Sequence, residues 1–99
     1  MEETTKIAIF RGKEIRKTIH QNEWWFSVVD VISVLTDSTM PRRYWADLKR
    51  KLTSEGFNEL YEKIVQLKIE SSDGKKYLTD CANTETIFRI IQTIPSPKT

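Results

Sequence analysis

The chain has almost none of the residues from which small catalytic and metal sites are built. It has one cysteine, Cys81, and one histidine, His20. Two such residues cannot make a Cys/His zinc site, and no Ser-His-Asp or Cys-His pairing has supporting spacing. Neither a metal nor another cofactor is expected. A single thiol also excludes the paired disulfide framework of small secreted domains, so a reducing cytoplasm is the expected compartment. Glycine occurs three times, never as a phosphate-cradling loop. No apolar run approaches the ~20 residues needed to cross a bilayer, so no membrane contact is expected. Residues 1–5 are polar and acidic, unlike a signal peptide, and read as a disordered start. There is no internal repeat and no low-complexity segment.

One string has the look of catalysis. Glu70…Asp73-Gly74-Lys75 is similar to the acid-x-Lys element of metal-dependent nucleases. Such acids must sit on rigid strands to hold a divalent ion, whereas Asp73-Gly74 reads as a turn. The expectation is therefore a non-enzymatic protein.

What is present suffices for one small domain: 99 residues, 38% hydrophobic, with ten aromatics. A disordered chain would have few aromatics and a large net charge. Here the net charge is only +2, but it is segregated. Residues 6–17 contain Lys6, Arg11, Lys13, Arg16 and Lys17 against one acid, Glu14. Residues 42–51 contain Arg42, Arg43, Lys49, Arg50 and Lys51 against Asp47. Residues 55–70 are net acidic. Segregation of this kind can give a nearly neutral protein one positive face; the plainer alternative is a set of solvated surfaces.

Residues 6–10 read as a strand, turning at Gly12-Lys13 into a second over 14–19. Residues 21–23 are turn material, and Trp24-Trp25-Phe26 a third strand. Residues 27–35 read as a helix, with Ser27 and Asp30 at capping-box spacing and Val28, Val31, Ile32 and Leu35 as a buried stripe. A second helix is expected over 40–53, with Pro41 in its first turn and Gly56 as its stop. Residues 60–63 are ambiguous. Residues 64–70 and 75–79 read as a hairpin around Ser71-Ser72-Asp73-Gly74. A last helix over 83–93 would bury Ile87, Ile90, Ile91 and Ile94. The order β-β-β-α-α-β-β-α makes the fold α+β, one small domain of antiparallel hairpins and three helices over residues 6–94. Pro95 and Pro97 suggest a linker over 95–99.

On a helical wheel, Pro41, Tyr44, Trp45, Leu48 and Leu52 share one side of the second helix. Arg43, Ala46 and Arg50 lie opposite, flanked by Arg42 and Lys49 on one side and Lys51 on the other. Such a helix suits a DNA major groove: Arg43 and Arg50 could reach bases, and small Ala46 would permit close approach. Arg42, Lys49 and Lys51 would hold phosphates. Ser38 and Thr39, at the helix start, are hydroxyl donors suited to a phosphate. Lys75 and Lys76 at the second hairpin tip could touch the DNA backbone, or simply guard a soluble hairpin.

Trp25 to Val31 (Trp-Phe-Ser-Val-Val-Asp-Val), Pro41-Arg42-Arg43-Tyr44-Trp45 with Leu48-Lys49, Ile64 to Lys68, Leu78-Thr79-Asp80 and Ile90 to Pro97 together resemble the Bro N-terminal domain. That domain stands at the front of phage antirepressors and of DNA-damage-inducible protein D-like proteins. The resemblance spans about residues 6–98 and implies a duplex-DNA-binding module followed by a variable C-terminal region, with no catalytic residues to carry over. Antirepressors also act by binding a repressor protein. A protein-interaction module, using Trp24 or Tyr61 beside the acidic 55–70 segment, is thus the second reading. A homodimer would pair half-sites on DNA, although no dedicated seam is visible in the sequence.

Overall fold

The computed structural model describes residues 5–94. The expected disorder of residues 1–4 and the expected linker over 95–99 lie outside those residues. Thr5 is the first residue of a strand, paired with Thr18.

Five strands form one antiparallel sheet: β1 (Thr5–Phe10), β2 (Lys13–His20), β3 (Glu23–Ser27), β4 (Val65–Glu70) and β5 (Lys76–Asn83), in the order β1-β2-β3-β5-β4. The helices are α1 (Val28–Thr36), α2 (Pro41–Ser54), α3 (Asn58–Glu62) and α4 (Thr84–Thr93). The expected α+β order holds. The ambiguous residues 60–63 fall in and just after the five-residue α3. A Cα radius of gyration of 13.2 Å is that of a single domain of this length.

Local chemistry sets most boundaries. The first hairpin turns one residue earlier than the sequence suggested, at Arg11-Gly12, where both residues have positive φ. Gln21 and Asn22 do the same between β2 and β3, so Glu23 joins β3 rather than the turn. Two consecutive positive φ values match the right-handed twist of the flanking strands. Ser27 caps α1 by accepting from Asp30 N at 3.4 Å. Helix α2 has no side-chain cap and starts instead on Pro41, whose missing N–H leaves nothing unsatisfied there. It ends as anticipated at Gly56: with Gly56 at φ 88, Phe57 N reaches back to Leu52 O at 2.7 Å, the six-to-one closure of a Schellman end. Strand β5 runs to Asn83, four residues past the expected Thr79. Asn83 then caps α4 through Thr86 N.

Alternation divides the sheet into two faces. One carries Ala82 and Phe26 and is covered by helices, with Val28, Ile32, Trp45, Leu52, Leu60 and Ile90 in the shared core. Val34 is buried where Leu35 was expected, and Leu35 packs at the margin of that core. The other face holds a smaller cluster of Trp25, Leu67, Ile69 and Cys81. Across this second cluster, Glu70 N at the end of β4 donates to Thr5 Oγ1 at 3.0 Å.

Candidate nucleic-acid interface

Helix α2 buries Trp45, Leu48 and Leu52 and leaves Arg42, Arg43, Ala46, Arg50 and Lys51 exposed. This is the two-sided helix the wheel anticipates. Arg50 has only an exposed 3.8 Å approach to Asp47 one turn away, which is worth little. Among the described residues, the side chains of Arg42, Arg43 and Lys51 have no hydrogen-bonded or ionic partner.

The helix is fixed to the β4–β5 hairpin at one carboxylate. Asp80 accepts from Trp45 Nε1 at 2.8 Å, from Lys49 Nζ at 2.9 Å and from Gln66 Nε2 at 3.1 Å. Burial pushes its pKa up, but the bonds from Lys49, Trp45 and Gln66 together hold it below the usual carboxylate value. Lys49 is therefore held by Asp80 in this structure. Its place on the flank of α2 brings its ammonium over β5, where Asp80 neutralises it and the Trp45 ring lies 5.6 Å away. Between α2 and the hairpin runs an open groove of about 580 Å³, bordered by Arg42, Trp45, Gln66, Tyr77, Leu78 and Asp80.

Ser38 and Thr39 precede α2 but do not cap it. Ser38 Oγ accepts from Met40 N at 3.1 Å, which leaves its hydroxyl proton free, and Thr39 is exposed. Lys75 and Lys76 are exposed at the hairpin tip, and their ammonium groups have no partner among the described residues. Asp73 is held within the turn. It accepts from Lys75 N at 2.9 Å and from Tyr77 Oη at 2.6 Å, which lowers its pKa and raises that of Tyr77. Among the described residues no group of acids, histidine or cysteine converges as metal ligands do, and no helix is long and apolar enough to cross a membrane.

Lys68 is a cation that sequence reasoning missed. Pairing sets Gln66 opposite Asp80 and Lys68 opposite Leu78, so Lys68 lies on the Asp80 face of the hairpin. The alternation of β4 already separated it from Leu67 and Ile69.

In the other basic stretch two of the five bases, Arg16 and Lys13, are ion-paired within the protein. Arg16 donates to Asp30 through its backbone N, Nε and Nη2 at 2.7–2.9 Å, and through Nη1 to Glu70 O at 3.3 Å. The hydrogen bonds it donates to Asp30 raise its already high pKa. Lys13 pairs with Asp37 and lowers the pKa of that carboxylate. Lys17 sits 4.2 Å over the half-buried Trp24. Lys6, Arg11 and Lys17 have no ionic partner among the described residues, so free positive charge remains on this stretch as well as on α2 and the β4–β5 hairpin.

No significant match is found among curated proteins or among solved structures. Residues 14–99 match the family described as the BRO family, N-terminal domain, and the chain belongs to that family.

Proposed function

We propose that this chain is a non-catalytic, duplex-DNA-binding N-terminal module of a phage-antirepressor-like regulatory protein. The carrying observation is the outward row Arg43, Ala46 and Arg50 on a helix whose opposite side is locked into the core. Arg43 and Arg50 address base edges, with Ala46 allowing the helix axis close to the groove. Arg42, Lys51, Lys68, Lys75 and Lys76 meet phosphates on either side and set the register. Ser38 and Thr39 add hydroxyl donors at the helix entrance. Asp80 ties helix and hairpin into one rigid unit, so that both prongs dock together.

The deciding experiment is a titration of the folded chain on random duplex DNA over a series of salt concentrations. Affinity should fall linearly with the logarithm of salt as counterions are displaced. A folded protein with no binding at low salt rejects the reading.

The second reading, capture of a repressor protein, rests on a different surface. Phe57, Tyr61 and Phe88 are exposed on the α3–α4 side, where Arg89 meets Glu59 at 3.5 Å. If that surface carries the function, reversing Arg43 and Arg50 to Glu leaves repressor binding intact.

A further inference from the structure

Strand β1 is the outermost strand of the sheet, and among the described residues its outer edge has no strand partner. Natural edge strands are usually guarded by charge, by proline or by a bulge. This one is not. Between Lys6 and Arg11 it reads Ile-Ala-Ile-Phe, and its register against β2 runs unbroken through every residue. Ile7, Ile9 and Phe10 are 52%, 65% and 46% exposed.

The hydrogen-bonding parity of that edge follows from the turn. Arg11 and Gly12 have φ of 56° and 76°, a two-residue turn that makes Phe10 and Lys13 its closing hydrogen-bonded pair. Pairs then alternate along the ladder. Lys6, Ala8 and Phe10 direct their backbone groups toward β2, while Ile7 and Ile9 direct theirs outward. An antiparallel copy of the same strand satisfies those outward groups when Ile7 of one copy faces Ile9 of the other. Ala8 then faces Ala8 across the two-fold axis. On the same side of the sheet as Ala8, Lys6 of one copy faces Phe10 of the other, whose ring lies 5.3 Å from the Arg11 guanidinium of its own chain. No like charges stand directly opposite each other.

We propose that β1 is a self-association edge: a second copy of this chain pairs with it antiparallel through residues 6–10, with the two-fold axis at Ala8, so that two sheets become continuous. The occupant is a second copy because the strand complements itself in backbone parity and in side chains, the condition for an isologous contact. Pairing through one short strand buries less than the roughly 1,200 Å² of a stable interface, so the dimer is weak and concentration-dependent. Strand β1 precedes residues 14–99 that match the family; the pairing concerns this chain's own N-terminal strand and does not depend on the DNA-binding reading.

The test combines sedimentation of the folded chain over a wide concentration range with cysteine cross-linking. Average mass should climb toward that of a dimer as concentration rises, and Ile9→Lys, checked for an unchanged circular dichroism spectrum, should stay monomeric throughout. Under mild oxidation Ala8→Cys should form a disulfide-linked dimer. Facing residues of a non-hydrogen-bonded pair lie about 4.5 Å apart at Cα, inside the range of about 4.4–6.8 Å that a disulfide spans. Ile9→Cys alone should not cross-link, since position 9 faces position 7 of the other copy. The buried Cys81 contributes no background. A monomer at every concentration without an Ala8→Cys cross-link overturns the proposal. So does a dimer unaffected by Ile9→Lys, or an Ile9→Cys cross-link as ready as that of Ala8→Cys.

Discussion

The indole nitrogen of Trp45 donates to Asp80 across 2.8 Å and 35 residues of sequence. This bond joins the core side of the basic helix to the returning strand of the basic hairpin, and Lys49 and Gln66 converge on the same carboxylate. Truncating Asp80 strands Trp45 Nε1 in the interior and frees the Lys49 ammonium. Asp80→Ala should cost about 2 kcal/mol, the penalty of buried partners left unsatisfied, read as a lower denaturant midpoint.

The same carboxylate makes stability pH-dependent. Its folded pKa lies below the ordinary value, whereas the unfolded group titrates near ~3.9. The ionised form is therefore favoured by folding, and its contribution is fully present above the unfolded pKa. It is lost as pH falls through the folded pKa, because protonation then proceeds in both states. Asp80→Asn should lower stability at neutral pH and flatten the acid side of a plot of Tm against pH. An acid limb as steep as that of the wild type would show that another group sets it.

Much of this architecture was legible because it is local. Pro41, the spacing of Trp45, Leu48 and Leu52, and the positive φ of Gly56 define α2 within one stretch of chain. The convergence on Asp80 was not legible. Nothing around Leu78-Thr79-Asp80 distinguishes that acid from a surface aspartate until β5 continues to Asn83 and α2 crosses it. The spending of Arg16 on Asp30 is equally non-local: capping-box spacing pointed Asp30 at its own helix end, while a strand arginine claimed both its oxygens. Charge runs counted along the sequence therefore overstated the free charge at residues 6–17 and included Lys49, which is neutralised.

That distinction separates the cations experimentally. Lys51→Ala, Lys75→Ala and Lys76→Ala, each removing one phosphate contact, should each reduce the slope of log affinity against log salt by about 1 while leaving sequence preference alone. Lys49→Ala should leave that slope unchanged and act on stability, because its ammonium is held by Asp80. A slope change for Lys49→Ala equal to that for Lys51→Ala would mean that Lys49 leaves Asp80 on binding.

Arg43 and Arg50 should behave differently again. Replacing either with Ala should cost about 1–3 kcal/mol on a preferred site and relax selection at one base position, with no loss of Tm because both side chains are exposed. Arg16→Ala is the control of opposite character. It removes the bonds to Asp30 and Glu70 and should lower stability by about 2–3 kcal/mol without altering the salt slope. Arg16→Lys should not restore it, since an ammonium cannot reproduce the forked contact.

Cys81 reports on opening of the fold. Its side chain is fully buried on the sheet face opposite the helices, and burial pushes its thiol up to about 12. The thiolate is the reactive form, so at mildly alkaline pH the native protein holds almost none of it and shields the sulfur as well. Alkylation should be slow in buffer and rise with denaturant in step with loss of near-ultraviolet circular dichroism, because only an opened chain exposes a thiol with ordinary pKa. Asp80→Ala, by loosening β5 beside it, should accelerate the reaction by the factor that its stability loss dictates. Rapid labelling of the wild type without denaturant would show that the Trp25, Leu67 and Ile69 cluster opens independently of the helices.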